Sequence, residues 1–125
     1  MDRGREYVIG QIGELPLRKP VLVRIGDRVI GVYRVAEKEV RVYENLCPHL
    51  GGPVCQGEVV EWAEEVVAPT GEVVGQRVVP DRWHIVCPWH GLEFDLDTGR
   101  CVADPRLHLR PYPSRVEGGV VYVRV

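Results

Sequence analysis

No stretch of this sequence is apolar for long enough to cross a membrane. The N-terminus, MDRGREYVIGQIGELPL, is charged from its second residue and has no uninterrupted apolar core of the kind a secretory signal needs. A membrane partner is therefore not expected, and the cytoplasm is the expected compartment. No basic tract is present either: sixteen lysines and arginines stand against eighteen acidic residues, for a formal charge of -2. A chain without a run of cations cannot track a phosphate backbone, which argues against nucleic acid as a partner. Internal repeats, linkers and low-complexity tails are also missing, so the 125 residues read as a single domain, 1–125. Histidine is scarce, with only His49, His84, His90 and His108.

What the chain does have is valine and short alternating segments. Branched β-carbons pack well on a pleated surface, so strands are expected rather than helices. Tyr7 to Ile9 reads as an edge strand, followed by a Gly- and Pro-containing connection. VLVRIGDRVIGVYRV and EVRVYEN then read as successive strands, with turns at Gly26-Asp27 and near Glu37-Lys38. Between Val21 and Asn45 one parity is often apolar while the other carries Arg24, Arg28, Arg34 and Arg41. That alternation predicts a half-buried antiparallel meander, although it breaks at Gly31 and Ala36. VVEWAEEVVAPTGEVVGQRVV predicts two strands around Pro69-Thr70-Gly71. A helix over 59–67 is the competing reading, disfavoured by the valine pairs and Pro69. Trp83 to Val86 reads as a short separate strand, Asp97-Thr98-Gly99 as a tight turn, and YPSRVEGGVVYVRV as a hairpin turning at Gly118-Gly119.

Two segments break the strand periodicity, and both contain cysteine beside histidine. Four cysteines in a small chain would allow two disulfides, but without an export signal they should stay reduced, so metal ligation moves ahead of disulfide formation. Cys47-Pro48-His49 has C-x-H spacing and Cys87-Pro88-Trp89-His90 has C-x-x-H spacing. Each loop offers one thiolate and one imidazole that a turn can aim at one centre. Two thiolates and two imidazoles satisfy tetrahedral zinc; they equally suit a binuclear iron cluster with sulfur ligands on one iron and nitrogen ligands on the other. Ligand chemistry alone leaves both open.

CPHLGGP at 47–53 and CPWHG at 87–91 resemble the two cluster-binding loops of Rieske iron-sulfur proteins. LEFDLDTGR at 92–100 and RPYPSRVEGGVVYV at 110–123 are similar to the C-terminal part of the Rieske ferredoxins that serve oxygenases. The resemblance implies an all-β domain of antiparallel sheets, with a small subdomain made of the two loops at about 45–57 and 85–97. It also implies one [2Fe-2S] cluster. Cys47 and Cys87 would hold the buried iron, and His49 and His90 would hold an outer iron through Nδ1. With neutral histidines the oxidised centre carries no net charge, which makes reduction easier than in an all-cysteine cluster, and ionisation of either imidazole would lower the potential at alkaline pH. Relatives from respiratory complexes place a disulfide where this chain has Gly52 and Trp89, so that bridge cannot form here. The same relatives place serine and tyrosine hydroxyls where this chain has Leu92 and Phe94, so the resemblance implies a low potential.

The other candidates have blander readings. Cys55 and Cys101 are expected to be free, small core residues, and His84 and His108 structural or exposed. Trp89 would shield the cluster or face a partner, with shielding preferred. Trp62 and Trp83 would be packing residues. Glu93, Asp95 and Asp97 would be either an acidic rim or polar strand ends. The interval between His49 and Cys87 is longer than in compact ferredoxins, which suggests an extended hairpin. Too few histidines remain for the mononuclear iron of a terminal oxygenase. The expected role is therefore a non-catalytic electron-transfer component, with a reductase and a terminal oxygenase as partners. The alternatives are a small subunit of an assimilatory nitrite reductase and, less favoured, a zinc-stabilised binding module. Nothing in the sequence bears on oligomeric state.

Overall fold

Valine-rich alternation and glycine turns produce strands throughout the computed structural model, which describes residues 4–125; the first three residues of the charged N-terminal stretch lie outside it. The strands are β1 (Glu6–Gln11), β2 (Pro20–Ile25), β3 (Arg28–Ala36), β4 (Glu39–Glu44), β5 (Val59–Val67), β6 (Val73–Val86), β7 (Glu93–Asp95), β8 (Ser114–Glu117) and β9 (Val120–Arg124). Among the described residues helix is limited to two 3-10 turns, Ile12–Glu14 and Val54–Gln56. Among the described residues no helix is long and apolar enough to cross a membrane.

The strands form three antiparallel sheets of order β1-β9-β8, β2-β3-β4 and β5-β6-β7. The expected edge strand, meander and terminal hairpin are all present. Gly118 and Gly119 close the hairpin with φ of +57° and +78°, the left-handed values that the turn requires.

Two expectations need correction. The meander is not half-buried throughout, because β3 is covered on both faces. Ile30 and Val32, with Val40 and Val42 of β4, pack on Val121 and Val123 of the terminal sheet. Tyr33 and Tyr43 instead join Val54, Cys55, Ile85, Phe94, Leu96 and Leu109 in a second core. Gly31 breaks the alternation because a Cβ there would stand 2.6 Å from Cys55 Sγ. β3 is thus a wall between two cores, and the break at Gly31 marks the second one.

The other correction concerns 83–86, which is not a separate strand. β6 runs unbroken from Val73 to Val86, and residues 79–82 bulge opposite Trp62, between the pairs Ala63↔Val78 and Glu61↔Trp83. Pro80 lacks an amide donor and Asp81 takes φ +62°, so the chain bends here and resumes pairing. Residues 59–67 are strand, not helix. Beyond the bulge, β5 and β6 extend as a two-stranded ribbon with Val66, Val67, Val73, Val74 and Val78 exposed.

Candidate metal centre

Each cysteine-histidine loop is a tight turn stapled to itself by the backbone. In the first, the Cys47 amide donates to the Gly52 carbonyl (2.8 Å) and the Gly51 amide donates back to the Cys47 carbonyl (2.8 Å). In the second, the Cys87 amide donates to the Leu92 carbonyl (2.8 Å) and the Gly91 amide to the Cys87 carbonyl (2.9 Å). Gly51 and Gly91 take φ of +75° and +69°, a conformation that costs a side-chain-bearing residue about 1–2 kcal/mol. The loops therefore share one backbone shape, in which Cys47 corresponds to Cys87, His49 to Trp89 and Leu50 to His90.

Neighbouring elements bring the two turns face to face. Asn45 fixes the first: its amide donates to the Val29 carbonyl (2.8 Å), and its Oδ1 accepts from the Cys55 amide (2.8 Å). Gly57 fixes the approach of the second, since a Cβ there would fall 1.7 Å from the Val86 carbonyl oxygen. The Val86 amide donates to the Glu58 carbonyl (2.9 Å), tying the end of the first loop to the start of the second. Neither Asn45 nor Gly57 was singled out by sequence. The asparagine next to Leu46-Cys47 was a usable signal; the backbone crossing at Gly57 joins residues far apart in the chain and left none.

The four candidate ligands come together as two pairs. Cys47 and Cys87 are buried on the core side, while His49 and His90 are exposed. The imidazole centroids lie 5.3 Å apart with the rings nearly perpendicular, at 87°. Burial pushes the Cys47 thiol up, the amides of His49 and Leu50 pull it back down, and the adjacent Cys87 thiol raises it again. A buried thiol beside a second sulfur resists ionisation unless a cation supplies positive charge, and amides pointed at that sulfur favour the thiolate. Among the described residues, no three His, Cys, Asp or Glu side chains are placed to hold a single ion together. This division into a buried sulfur pair and an exposed nitrogen pair fits a group with two metal atoms better than one tetrahedral zinc.

The remaining candidates occupy other places. Cys55 and Cys101 are free and buried in the second core, and burial pushes the Cys55 thiol up to about 11. His84 is buried, with Nδ1 2.9 Å from Glu93 Oε1 and its ring 5.1 Å from that of Trp62. His108 is exposed, and its Nδ1 lies 2.9 Å from the Leu109 carbonyl. Trp83 lies beneath Arg18, whose guanidinium is 4.6 Å from the ring centroid. Asp95 accepts from the amides of Asp97 and Thr98 in the tight turn, so the carboxylates after the second loop do structural work rather than forming a free rim. Trp89 bridges the loops: a Cβ on Gly52 would stand 2.8 Å from its ring. It is nevertheless 58% exposed, and with Leu46 and Leu50 it forms an apolar collar beside the histidines.

The profile of the Rieske [2Fe-2S] domain matches residues 5–113. Among curated proteins, the chain is 27% identical over 128 residues to 4β-methylsterol monooxygenase of Methylococcus capsulatus, covering 94% of this chain and 29% of that protein. It is 44% identical over 46 residues to the ferredoxin component of the p-cumate 2,3-dioxygenase system of Pseudomonas putida, covering 36% of this chain and 39% of that one. Among solved structures, a Mycobacterium tuberculosis chain described as the small subunit of an NADH-dependent nitrite reductase superposes with a TM-score of 0.71 at 22% identity, covering 99% and 97% of the two chains. The chain spans between 18% and 39% of the length of the curated relatives it matches.

Proposed function

The chain belongs to the Rieske [2Fe-2S] domain family, and on that premise we propose that it is a one-electron carrier, not itself catalytic, passing electrons from a reductase to a terminal oxygenase. The observation that carries this reading is the pairing in one site of two buried thiols with two exposed, nearly perpendicular imidazoles. In this reading residues 1–125 are one Rieske domain with loops at 45–57 and 85–97. Cys47 and Cys87 hold the inner iron and His49 and His90 the outer one. When bound, the cluster supplies a reversible one-electron couple.

The chain's own residues shape that couple. The buried thiol pair anchors the cluster away from water, and the amides of His49 and Leu50 donate to the Cys47 sulfur. Leu92 and Phe94 offer no hydroxyl to the cluster, which keeps the potential low. The exposed imidazole edges are the short path for an electron, and Leu46, Leu50 and Trp89 present an apolar contact around them. The similarity to a dioxygenase ferredoxin over 46 residues supports an oxygenase as acceptor. We place the protein in the cytoplasm, where free cysteines stay reduced until iron binds.

Iron and acid-labile sulfide analysis of the purified chain, with electron paramagnetic resonance after reduction, tests the cofactor. About two irons and two sulfides with a Rieske-type reduced signal are expected; stoichiometric zinc without a redox signal would overturn the reading. Stopped-flow oxidation of the reduced protein by a purified oxygenase and by a sirohaem nitrite reductase then tests the acceptor. Faster transfer to the nitrite reductase would reassign the chain as that enzyme's small subunit.

A further inference from the structure

The charge of this protein is unevenly spread. Of its sixteen basic and eighteen acidic residues, two and nine respectively fall within 58–99, which leaves fourteen basic against nine acidic elsewhere. Three residues of that basic excess border one groove of about 640 Å³, where Arg28, Arg110 and Arg124 stand with Tyr7 and Tyr112 and one acidic side chain, Asp27.

Arg28 reaches a carboxylate only through Tyr112. Arg28 donates through Nη1 to the Tyr112 hydroxyl (3.0 Å), which donates onward to Glu44 Oε1 (3.2 Å). Arg28 and Arg110 both lie near the Tyr112 ring, 5.9 and 5.5 Å from its centroid. Among the described residues none of the three arginines forms a salt bridge. The carboxylate that Arg124 influences, Glu6, is already gripped through both oxygens by Arg115, at 2.8 and 2.7 Å. Like charges gathered around one ring repel unless a ligand supplies the opposite charge, and an arginine fork over an aromatic floor suits a carboxylate.

We propose that this groove docks an acidic segment of the redox partner, a deepening that rests on the electron-carrier reading above. The groove is open to solvent, and Asp27 among the arginines suits a chain with spaced carboxylates better than a compact polyphosphate. Its position supports the same occupant. The Arg110 carbonyl accepts from the Glu44 amide (2.9 Å), so the groove is built on the last residue of β4, just ahead of the turn that carries Cys47. An acidic segment held there would orient a partner next to the first cluster loop, while the acidic 58–99 segment would repel it.

Fluorescence anisotropy of a labelled hexaglutamate peptide, titrated with the intact cluster-loaded chain, tests the proposal. The protein is negative overall, so binding requires a local basic site. Wild type is expected to bind with an affinity that falls as salt rises, and Arg28→Gln with Arg110→Gln together to weaken binding about ten-fold or more. Arg77→Gln on the ribbon should leave it unchanged. Circular dichroism and the cluster absorption of each variant serve as folding controls. No binding by wild type at low salt, or equal binding by the double variant, would overturn the proposal. Displacement of the peptide by micromolar pyrophosphate would overturn the acidic-segment assignment in favour of a small-anion site. The peptide accepts no electron, so failure here leaves the carrier reading intact, whereas a missing cluster would defeat that reading whatever the peptide does.

Discussion

The two cysteine-histidine loops share a backbone and differ in almost everything attached to it. Both close with an amide-to-carbonyl bond from cysteine to the residue five places on, and both place a left-handed glycine four places on. The first leaves β4 and exits into the 3-10 turn Val54–Gln56; the second leaves β6 and exits into β7. Within the common turn the histidine sits two places after Cys47 but three after Cys87. The shared turn therefore sets where the sulfurs go, and the one-residue offset sets where the imidazoles go. The position that carries His49 in the first loop carries Trp89 in the second, and that ring packs on Gly52 of the opposite loop.

The largest effects should come from removing a sulfur. Cys47→Ser and Cys87→Ser are each expected to abolish stable cluster assembly, read as lost iron, sulfide and visible absorption. A native spectrum in either variant would mean that the loops do not contribute equally. Next is the crossing that holds the loops together. Gly57→Ala forces a methyl into the Val86 carbonyl and should cost about 3 kcal/mol, measured as a fall in thermal midpoint with loss of cluster.

Finer tests separate the two turns. Gly51→Ala and Gly91→Ala should each cost about 1–2 kcal/mol by denaturant unfolding. Gly51→Ala should cost slightly more, because its new Cβ would press on Leu46 Cδ2 at 3.3 Å while the one on Gly91 meets open space. A large gap in the opposite order would show that the turns are not equivalent. The last test is Leu92→Ser with Phe94→Tyr, which places two hydroxyls along the exit of the second loop. Protein-film voltammetry should show a rise in potential; no rise in a folded double variant would locate the tuning elsewhere.

The fold was largely legible because its signals are local. Valine alternation and Gly26-Asp27 marked the β2-β3 hairpin, and Gly118-Gly119 marked the last one. The failures have a long-range cause. Ile30 and Val32 share the parity of Arg28 and Arg34, and Tyr43 that of Arg41, yet all three are buried, because a core lies on each face of the meander. Pro80-Asp81 looked like the end of a strand, yet β5 continues opposite them and recaptures the pairing at Trp83.

By itself the sequence determined the chemistry of the candidate centre. Two short spacings, C-x-H and C-x-x-H, name one thiol and one imidazole per loop, and the glycine four places after each cysteine permits the turn that presents them. Those are properties of neighbours in the chain, so they can be read without a fold. Only the tertiary structure decided that the thiols lie buried side by side while the imidazoles face outward, that Trp89 packs on Gly52 of the opposite loop, and that Gly57 leaves just enough room for the loops to meet. It alone also gathered Arg28, Arg110 and Arg124 around one groove. Burial and close approach depend on which distant strands pack together, and no short window of sequence contains both partners.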